Sequence, residues 1–207
     1  LERHEVGASF KRWPAEMRFI TPSFPTNSIG MLDINSIAIG VSPAFGLRVE
    51  HPTGVEFASH LADIADYFEL PIIEKIDVTK VTPVGDLFRV ETSAETFTAK
   101  HVIWAAGDYQ YPKLYGFAGG EECRHISTVG SYESLEGDDF IVIGGYESGI
   151  DAAYHLAKRG KRVRVFDKDS PWDFETSDPS VALSTYTHER FNSDDFTKNV
   201  ELFPNTP

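Results

Sequence analysis

The spacing of hydrophobic positions changes several times along the chain between the period of a helix and that of a strand. From Thr53 a helix is predicted, because Thr53 can cap it and Glu56 stands at the capping-box position. Its apolar positions recur at helical spacing before Pro71, and they are Phe57, Leu61, Ile64, Ala65 and Phe68. Residues 1–50 are rich in proline, glycine and asparagine, which predicts long loops with short elements.

Strand-like runs occupy most of residues 72–104. Short apolar or alternating runs lie on both sides of a hairpin signal at Pro83–Asp86, and they are Ile72–Val78, Leu87–Thr92, Thr96–Ala99 and His101–Trp104. We therefore predict a three-stranded meander that leads into a buried strand ending in Ala105-Ala106-Gly107. Small residues at this point suit close approach of a ligand, although for this stretch taken alone a packed strand followed by a turn is the favoured interpretation. Residues 108–138 are predicted to be irregular.

Residues 139–167 predict a strand–helix–strand unit. A short buried strand, Asp139–Ile143, runs into Gly144, and a helix begins near Glu147. Four apolar positions at helical spacing would pack on the sheet, and they are Ile150, Ala153, Tyr154 and Ala157. Gly160 ends the helix, and a second strand follows at Arg162–Asp167. Beyond Lys168 the chain is polar and rich in turn formers, with one short apolar run at Val200–Phe203.

The turn between the first strand and the helix is a candidate binding site for a nucleotide pyrophosphate. Backbone N–H groups at the start of a helix attract phosphate, and a glycine at position 149 lets the helix approach the strand closely. Asp167 follows Gly144 by 23 residues and can accept hydrogen bonds from a ribose. The candidate residues are Gly144, Gly145, Tyr146, Glu147, Ser148, Gly149 and Asp167. Tyr146 replaces a glycine of the G-x-G-x-x-G pattern, so its side chain must point away from the phosphates. A unit that binds nothing is the alternative.

The amino-acid composition argues against several classes of binding partner and chemistry. The net charge of −13 argues against nucleic acid and anionic lipid, and no apolar run is long enough to span a membrane. One cysteine, Cys123, excludes an internal disulfide and a dithiol redox pair within these 207 residues, and a reducing, cytoplasmic setting fits best. Cys123 is expected to be a small buried residue. No metal site is predicted.

Several of these stretches together resemble the flavin-containing monooxygenases and their relatives. His101–Gly107 looks like that family's apolar strand ending in A-T-G, with Ala106 where threonine is usual. Ile141–Ala153 looks like its second nucleotide motif, and His125-Ile126-Ser127 resembles its linker. Leu1–Trp13 resembles the end of the second strand of the FAD domain, where an acidic residue holds the FAD ribose. Phe19–Ile37 is similar to small bacterial members.

The resemblance implies an α/β fold of Rossmann-like dinucleotide-binding domains, both incomplete in this chain. Residues 1–115 would belong to an FAD domain with a β-meander, residues 116–138 to a linker, and residues 139–207 to an inserted NAD(P)-binding domain. The implied FAD contacts are Glu2, Gly7, Trp13, Val78 and Gly107. The first glycine motif is expected before Leu1, so we expect these residues alone to bind FAD poorly.

The implied activity is reduction of FAD by NAD(P)H, after which one oxygen atom of O₂ passes to a small nucleophilic substrate. The flavin carries this chemistry, so no catalytic acid or base is predicted, and His125 is expected to form structural hydrogen bonds. The Baeyer–Villiger signature is not met, since His125 falls two residues late after Phe117 and Gly119. The missing Cys-x-x-C argues against thioredoxin-reductase chemistry.

Other functions stay open at this point. They are an NAD(P)H-dependent flavin reductase, a non-catalytic NAD(P)-binding module, and an S-adenosylmethionine methyltransferase. The Ala-Ala-Gly strand and the meander argue against the methyltransferase. A homodimer also stays open.

Overall fold

The computed structural model describes residues 1–24, 33–114, 116–176, 178 and 180–206. It contains two three-stranded sheets and a set of helices, so the predicted α/β class is confirmed. The strands are β1 (Val78–Val84), β2 (Leu87–Thr92), β3 (Thr96–Ala99), β4 (Asp139–Ile143), β5 (Arg162–Phe166) and β6 (Val200–Phe203). The helices are α1 (Ala8–Lys11), α2 (Pro43–Gly46), α3 (Gly54–Tyr67), α4 (Glu147–Ala157), α5 (Thr185–Phe191) and α6 (Asp194–Asn199). Within the predicted loops, residues 25–32 lie outside the described residues, as does Tyr115 at the predicted domain boundary.

Helix α3 begins as the sequence predicts. The backbone N–H of Glu56 donates to Thr53 Oγ1 over 3.3 Å, and the Glu56 carboxylate accepts from the Thr53 backbone N–H over 2.8 Å. Phe57 and Ile64 of the predicted apolar stripe are buried, whereas Phe68 at the end is exposed. The capping box and the apolar stripe together therefore explain both the start of α3 and the face that it buries.

The antiparallel sheet is the predicted meander. β1 pairs with β2 and β2 with β3, and Val84 lies opposite Leu87 across a tight turn in which Gly85 has φ +59°. The earlier part of the predicted run is not a strand. Around Ile73 and Ile76 the backbone instead hydrogen-bonds to Glu2, over 2.9 Å in each case.

The predicted buried strand His101–Trp104 is wrong. These residues have no strand assignment and pair with no other strand in the part of the chain that is described. Ile103 is 89% exposed and Trp104 is 72% exposed. A strand is stable only beside a neighbour that accepts its hydrogen bonds, and an apolar run by itself does not supply that neighbour.

The parallel sheet has the order β4–β5–β6 and carries the main core. Val163 and Val165 of β5 meet Ile150 of α4, and the remaining buried members of this core are Ala153, Leu156 and Phe196. The opposite face is open, since Ile141 and Ile143 of β4 are 56% and 53% exposed. The prediction that β4 is a buried strand is therefore correct for one face only.

Helices α5 and α6 were not predicted. Each starts at a serine whose side chain accepts a backbone N–H three residues later, Ser184 from Thr187 and Ser193 from Phe196. Both helices are short and mostly polar, and each contributes a phenylalanine to the core, Phe191 from α5 and Phe196 from α6. Among the described residues, no helix is long and apolar enough to cross a membrane.

The cap of α3 provides a test of the fold. Replacing Thr53 with alanine leaves the Glu56 backbone N–H without its acceptor and should lower the free energy of unfolding by about 1 kcal/mol. Thr53→Ser keeps the hydroxyl and should lose much less. Urea denaturation of the two variants measures the difference, and equal losses would show that the cap does not stabilise α3.

Candidate functional site

The candidate site is the turn that joins β4 to α4 at the carboxyl ends of the parallel strands. Gly144 has φ +97°, a backbone conformation that favours glycine, and its N–H donates to the Phe166 carbonyl over 2.9 Å. The next N–H, of Gly145, donates to Asp167 Oδ2 over 2.6 Å. The turn is therefore attached to the end of β5, and the two candidate regions predicted from the sequence lie side by side.

Gly149 permits the close approach of α4 to this turn. A Cβ atom at position 149 would lie 1.8 Å from the Gly144 carbonyl oxygen and 2.8 Å from its carbonyl carbon. Both atoms belong to the backbone, so no side chain can move aside to make room. The role predicted for Gly149, contact between helix and strand, agrees with this geometry.

Gly145 is needed for another reason, which the sequence did not reveal. A Cβ there would lie 2.0 Å from Cζ3 of Trp172, so the indole ring rests directly on the backbone of the turn. Trp172 belongs to the short 3₁₀ turn Pro171–Asp173 that follows β5. By contrast, a Cβ at Gly144 would meet nothing within 4 Å. The turn is therefore closed by Trp172 beside Gly145 and open beside Gly144.

The Asp167 carboxylate is a ligand for backbone N–H groups. Besides Gly145, it accepts from Asp169 and Ser170, each over 2.8 Å. Asp167 thus connects the glycine turn to the loop that carries Trp172. Its predicted contact with a ribose would come in addition to these three hydrogen bonds.

The start of α4 has no side-chain cap. Tyr146 stands at the N-cap position and is 37% exposed, and Ser148 is exposed as well. Partial burial raises the pKa of the Tyr146 hydroxyl, and the charges of Glu147 and Asp178 raise it further. The first N–H groups of a helix with no cap attract an anion.

Glu147 contributes to the site in a way that was not predicted. Its carboxylate accepts from the Ser184 backbone N–H over 2.5 Å, from Ser184 Oγ over 3.1 Å, and from the Thr187 hydroxyl. The side chain therefore holds the start of α5 against the start of α4. Because its carboxylate is engaged in these hydrogen bonds, Glu147 could contact a phosphate only through its backbone N–H.

A buried charge pair fixes the other side of α4. Asp151 is 7% exposed, and it forms an ion pair with Arg190 of α5 and accepts from the Tyr132 hydroxyl over 3.4 Å. The Arg190 guanidinium also lies over the Tyr186 ring, 3.9 Å from its centroid. Burial, followed by the charge of Asp151, raises the pKa of Tyr132 far above its ordinary value. No local sequence pattern predicts this group, because its members come from three separate segments.

Three of the five residues implied as FAD contacts are brought into one neighbourhood. Arg3, beside Glu2, forms an ion pair with Asp77, beside Val78, over 2.8 Å. Arg3 also donates to Gln110 over 3.5 Å, and Gln110 donates to the Ala106 carbonyl over 2.5 Å, directly before Gly107. The Glu2 carboxylate itself accepts from the His4 backbone N–H over 2.9 Å.

The other two implied FAD contacts, Gly7 and Trp13, have clear packing roles. A Cβ at Gly7, where φ is +78°, would lie 2.7 Å from Cα of Ala58, so this glycine lets α1 contact α3. Trp13 lies in an aromatic cluster, with its ring centroid 5.2 Å from that of Phe10 and 5.1 Å from that of Phe19.

His125 has the structural role expected of it. Its Nδ1 atom lies 2.8 Å from Ser127 Oγ and 3.2 Å from the Ser127 backbone nitrogen, and it caps a 3₁₀ turn. Cys123 is exposed, so the expectation that it is buried is wrong. Its segment runs over the surface and provides no core to enter. In the described part of the chain, no group of three or more His, Cys, Asp or Glu could hold a metal ion.

The geometry of the turn fits the pyrophosphate of a dinucleotide. It combines a glycine with open space beside it, an uncapped helix start, and a position at the carboxyl end of an edge strand of a parallel sheet. Ligands of open α/β sheets bind outside the carboxyl ends of the strands. A carboxylate also stands at the end of the neighbouring strand.

Comparisons with known proteins show which proteins this chain is similar to. The chain is 36% identical over 81 residues to the bacilliredoxin reductase Bdr of Bacillus subtilis, a stretch that covers 39% of this chain and 25% of that protein. The bacillithiol disulfide reductase Bdr of Bacillus cereus superposes with a TM-score of 0.64 at 18% identity, over 99% of this chain and 59% of that one. The flavin-containing monooxygenase of Stenotrophomonas maltophilia superposes with a TM-score of 0.60 at 17% identity, over 95% of this chain and 58% of that one.

The chain thus spans less than two thirds of each of these proteins. The two structural likenesses confirm the Rossmann-like fold class and are consistent with the predicted resemblance to flavin-containing monooxygenases. A model of the pyridine nucleotide-disulphide oxidoreductases matches residues 1–206. This match extends over both sheets and the turn between β4 and α4, and the chain belongs to the pyridine nucleotide-disulphide oxidoreductase family.

Proposed function

We propose that the complete protein is a flavin-dependent monooxygenase, in which NAD(P)H reduces FAD and one oxygen atom of O₂ is then transferred to a small nucleophilic substrate. The observation that carries the nucleotide part of this proposal is the uncapped start of α4 beside the open Gly144. FAD, when bound, supplies the hydride acceptor and the chemistry with O₂. The residues of this chain bind and orient the two nucleotides.

In the nucleotide half, the backbone N–H groups at the start of α4 would hold the pyrophosphate of NAD(P)H. Gly149 keeps these groups close to β4, and Asp167 keeps Gly145 in place. Their positive dipoles are fixed before the ligand arrives, so little reorganisation is needed on binding. The Asp167 carboxylate would accept hydrogen bonds from the ribose next to the pyrophosphate.

In the flavin half, we propose that Glu2 binds the FAD ribose and that the backbone of Val78 and Gly107 lines the same site. The contacts of Arg3 with Asp77 and Gln110 support this proposal, because they bring the three segments together. Gly107 has φ +69° and no atom within 4 Å of where a Cβ would lie, which leaves room for a ligand. Gly7 and Trp13 would support the flavin site by packing. Gly7 lets α1 contact α3, and Trp13 belongs to the aromatic cluster with Phe10 and Phe19.

A reductase is the second candidate, because the similarity to the Bacillus subtilis bacilliredoxin reductase reaches 36% identity. Reduction of a disulfide by a flavoenzyme needs a thiol or dithiol near the flavin. Cys123 is the one cysteine in the 207 residues, and it lies exposed between 3₁₀ turns. We favour oxygen transfer because residues 101–107 and 141–153 resemble the flavin-containing monooxygenases, whereas a thiol elsewhere in the complete protein would favour the reductase.

The activity can be tested on the complete protein. We expect it to purify with a flavin absorbance band that NADH or NADPH bleaches. In the presence of isotopically labelled O₂, the reduced enzyme should transfer label to thioanisole, a simple sulfur nucleophile. Bleaching without any transfer of label, together with reduction of a low-molecular-weight disulfide, would instead establish the reductase. A colourless protein with no affinity for flavin would contradict both.

The close approach at Gly149 gives a second test. Gly149→Ala places a methyl group against the Gly144 carbonyl, so α4 must move and NADH affinity should fall roughly tenfold, or about 1.4 kcal/mol. Calorimetry with NADH measures the change, and circular dichroism shows whether the variant is folded. Gly116→Ala is the matched control, because a Cβ at position 116 meets nothing within 4 Å. Unchanged affinity in a folded Gly149→Ala variant would mean that the turn is not the binding site.

The third test concerns the choice of nucleotide, for which we propose NADH. The Asp167 carboxylate would repel the 2′-phosphate of NADPH, and like charges roughly 4 Å apart cost on the order of 4 kcal/mol at an effective dielectric of about 20. Of the three positive charges that could turn toward that phosphate, Lys168 pairs with Asp169 over 3.5 Å and Arg162 with Asp139 over 2.7 Å, and Arg164 on the same strand is the remaining one.

The dissociation constants of NADH and NADPH should therefore favour NADH, and Lys168→Ala should leave their ratio within about twofold. Both constants can be measured by fluorescence titration of the complete protein. Tighter binding of NADPH, or a loss of NADPH affinity alone in Lys168→Ala, would refute the charge argument.

A further inference from the structure

Glu16 joins the first half of the chain to the segment that precedes β4. It lies between α1 and α3, and its carboxylate accepts from Ser131 Oγ over 2.6 Å. The same carboxylate accepts from the backbone N–H groups of Tyr132 over 3.1 Å and Glu133 over 3.2 Å. One side chain thus satisfies three donors of the 3₁₀ turn Tyr132–Ser134 and its cap, more than 110 residues further along the chain.

Glu16 also reaches the far end of α4. Nη2 of Arg159 donates to Glu16 over 3.2 Å, while Nη1 donates to the His155 carbonyl in the last turn of α4 over 2.8 Å. Tyr132, whose N–H Glu16 holds, contacts Asp151 in the middle of the same helix. The helix that begins at the glycine turn is therefore connected to Glu16 at two separate points.

The Glu16 carboxylate is largely enclosed, with 14% of the side chain exposed. Burial alone raises the pKa of this carboxyl, but the hydrogen bonds from Ser131, Tyr132 and Glu133 outweigh it and hold the pKa below its ordinary value. Glu16 is thus ionised at neutral pH. Within the part of the chain that the structure describes, the same boundary is also crossed by the hydrogen bond from the Ala15 backbone N–H to the Gly130 carbonyl and by the stack of His51 on Tyr186.

We propose that Glu16 is a positioning residue, which fixes the nucleotide-binding helix α4 relative to the flavin-binding half and so sets the distance for hydride transfer. This inference rests on the proposed function. Hydride transfer between two bound nucleotides depends on their separation, and a misplacement of about 1 Å can cost on the order of 100-fold in rate. Glu16 touches neither nucleotide site, and it acts through the turn at 131–133 and through Arg159.

The test compares Glu16→Ala with Glu133→Ala in the complete protein. Glu133 shares the partner Arg159 over 2.7 Å, but its side chain is 74% exposed. The Glu133 side chain pairs with Arg159, which lies in the same half of the chain, and the backbone N–H that donates to Glu16 is left in place by the substitution. In Glu16→Ala, the rate constant of flavin reduction at saturating NADH should fall roughly 10- to 100-fold, with NADH affinity within about twofold of the wild type. Glu133→Ala should change neither value. Equal losses in both variants, or a loss of affinity without a loss of rate, would overturn the proposal.

The variant Glu16→Gln is a control that separates a loss of positioning from a folding defect. Glutamine keeps one oxygen that can accept from Ser131 or a backbone N–H, but it loses the charge that faces Arg159. A reduction rate between those of the wild type and Glu16→Ala is expected, with an unchanged circular dichroism spectrum. Because the amide nitrogen of glutamine would face a backbone donor, a rate in the glutamine variant equal to that of the wild type would show that these hydrogen bonds do not set the geometry.

Hydrogen exchange separates this proposal from the proposed function. The amides of Tyr132 and Glu133 should exchange at least about tenfold faster in Glu16→Ala than in the wild type, whether or not the protein reduces a flavin. If the wild type reduces no flavin but this exchange increases, the proposed function fails while the connection through Glu16 stands. If the exchange is unchanged, Glu16 does not hold this segment and the positioning role is refuted.

Discussion

The contact between Gly149 and the carbonyl group of Gly144 determines how closely α4 lies against the parallel sheet. Since both sides of the contact are backbone, its distance cannot be adjusted by choosing another rotamer. Ile150, which follows Gly149 directly, is fully buried against β5 as a consequence. The depth of the core and the direction of the first N–H groups of α4 therefore depend on a position that has no side chain.

Carboxylates serve repeatedly as acceptors for backbone N–H groups in this acidic chain. Glu56 accepts at the start of α3, Glu147 at the start of α5, Asp167 at the glycine turn, and Glu16 at the 3₁₀ turn before β4. A charged acceptor gives a stronger hydrogen bond than a neutral one, and it satisfies donors that helix and turn geometry leave unpaired. Some of the carboxylates that make up the net charge of −13 therefore stabilise helix starts and turns of the fold.

Local signals allowed part of this fold to be predicted from the sequence. The cap of α3, the turn at Gly85 and the β4–α4–β5 unit each depend on residues within a few positions of one another. Short helices such as α5 also carry a serine cap, but their polar composition gave no periodic signal. The apolar run His101–Trp104 led to a wrong prediction of a strand, because an apolar run becomes a strand only if a distant segment pairs with it. The contacts of Glu16, Asp151 and Trp172 likewise join distant segments, so no local sequence pattern predicts them.

The packing of Trp172 on Gly145 has a consequence for how this sequence can change over time. The space that a side chain at position 145 would need is already filled by the indole ring. A relative that acquires alanine or serine at this position must therefore also have a smaller residue in place of Trp172, or a loop of different length after β5. We expect the two positions to covary, and a glycine retained beside a lost tryptophan should be the usual intermediate, since the opposite order requires a clash.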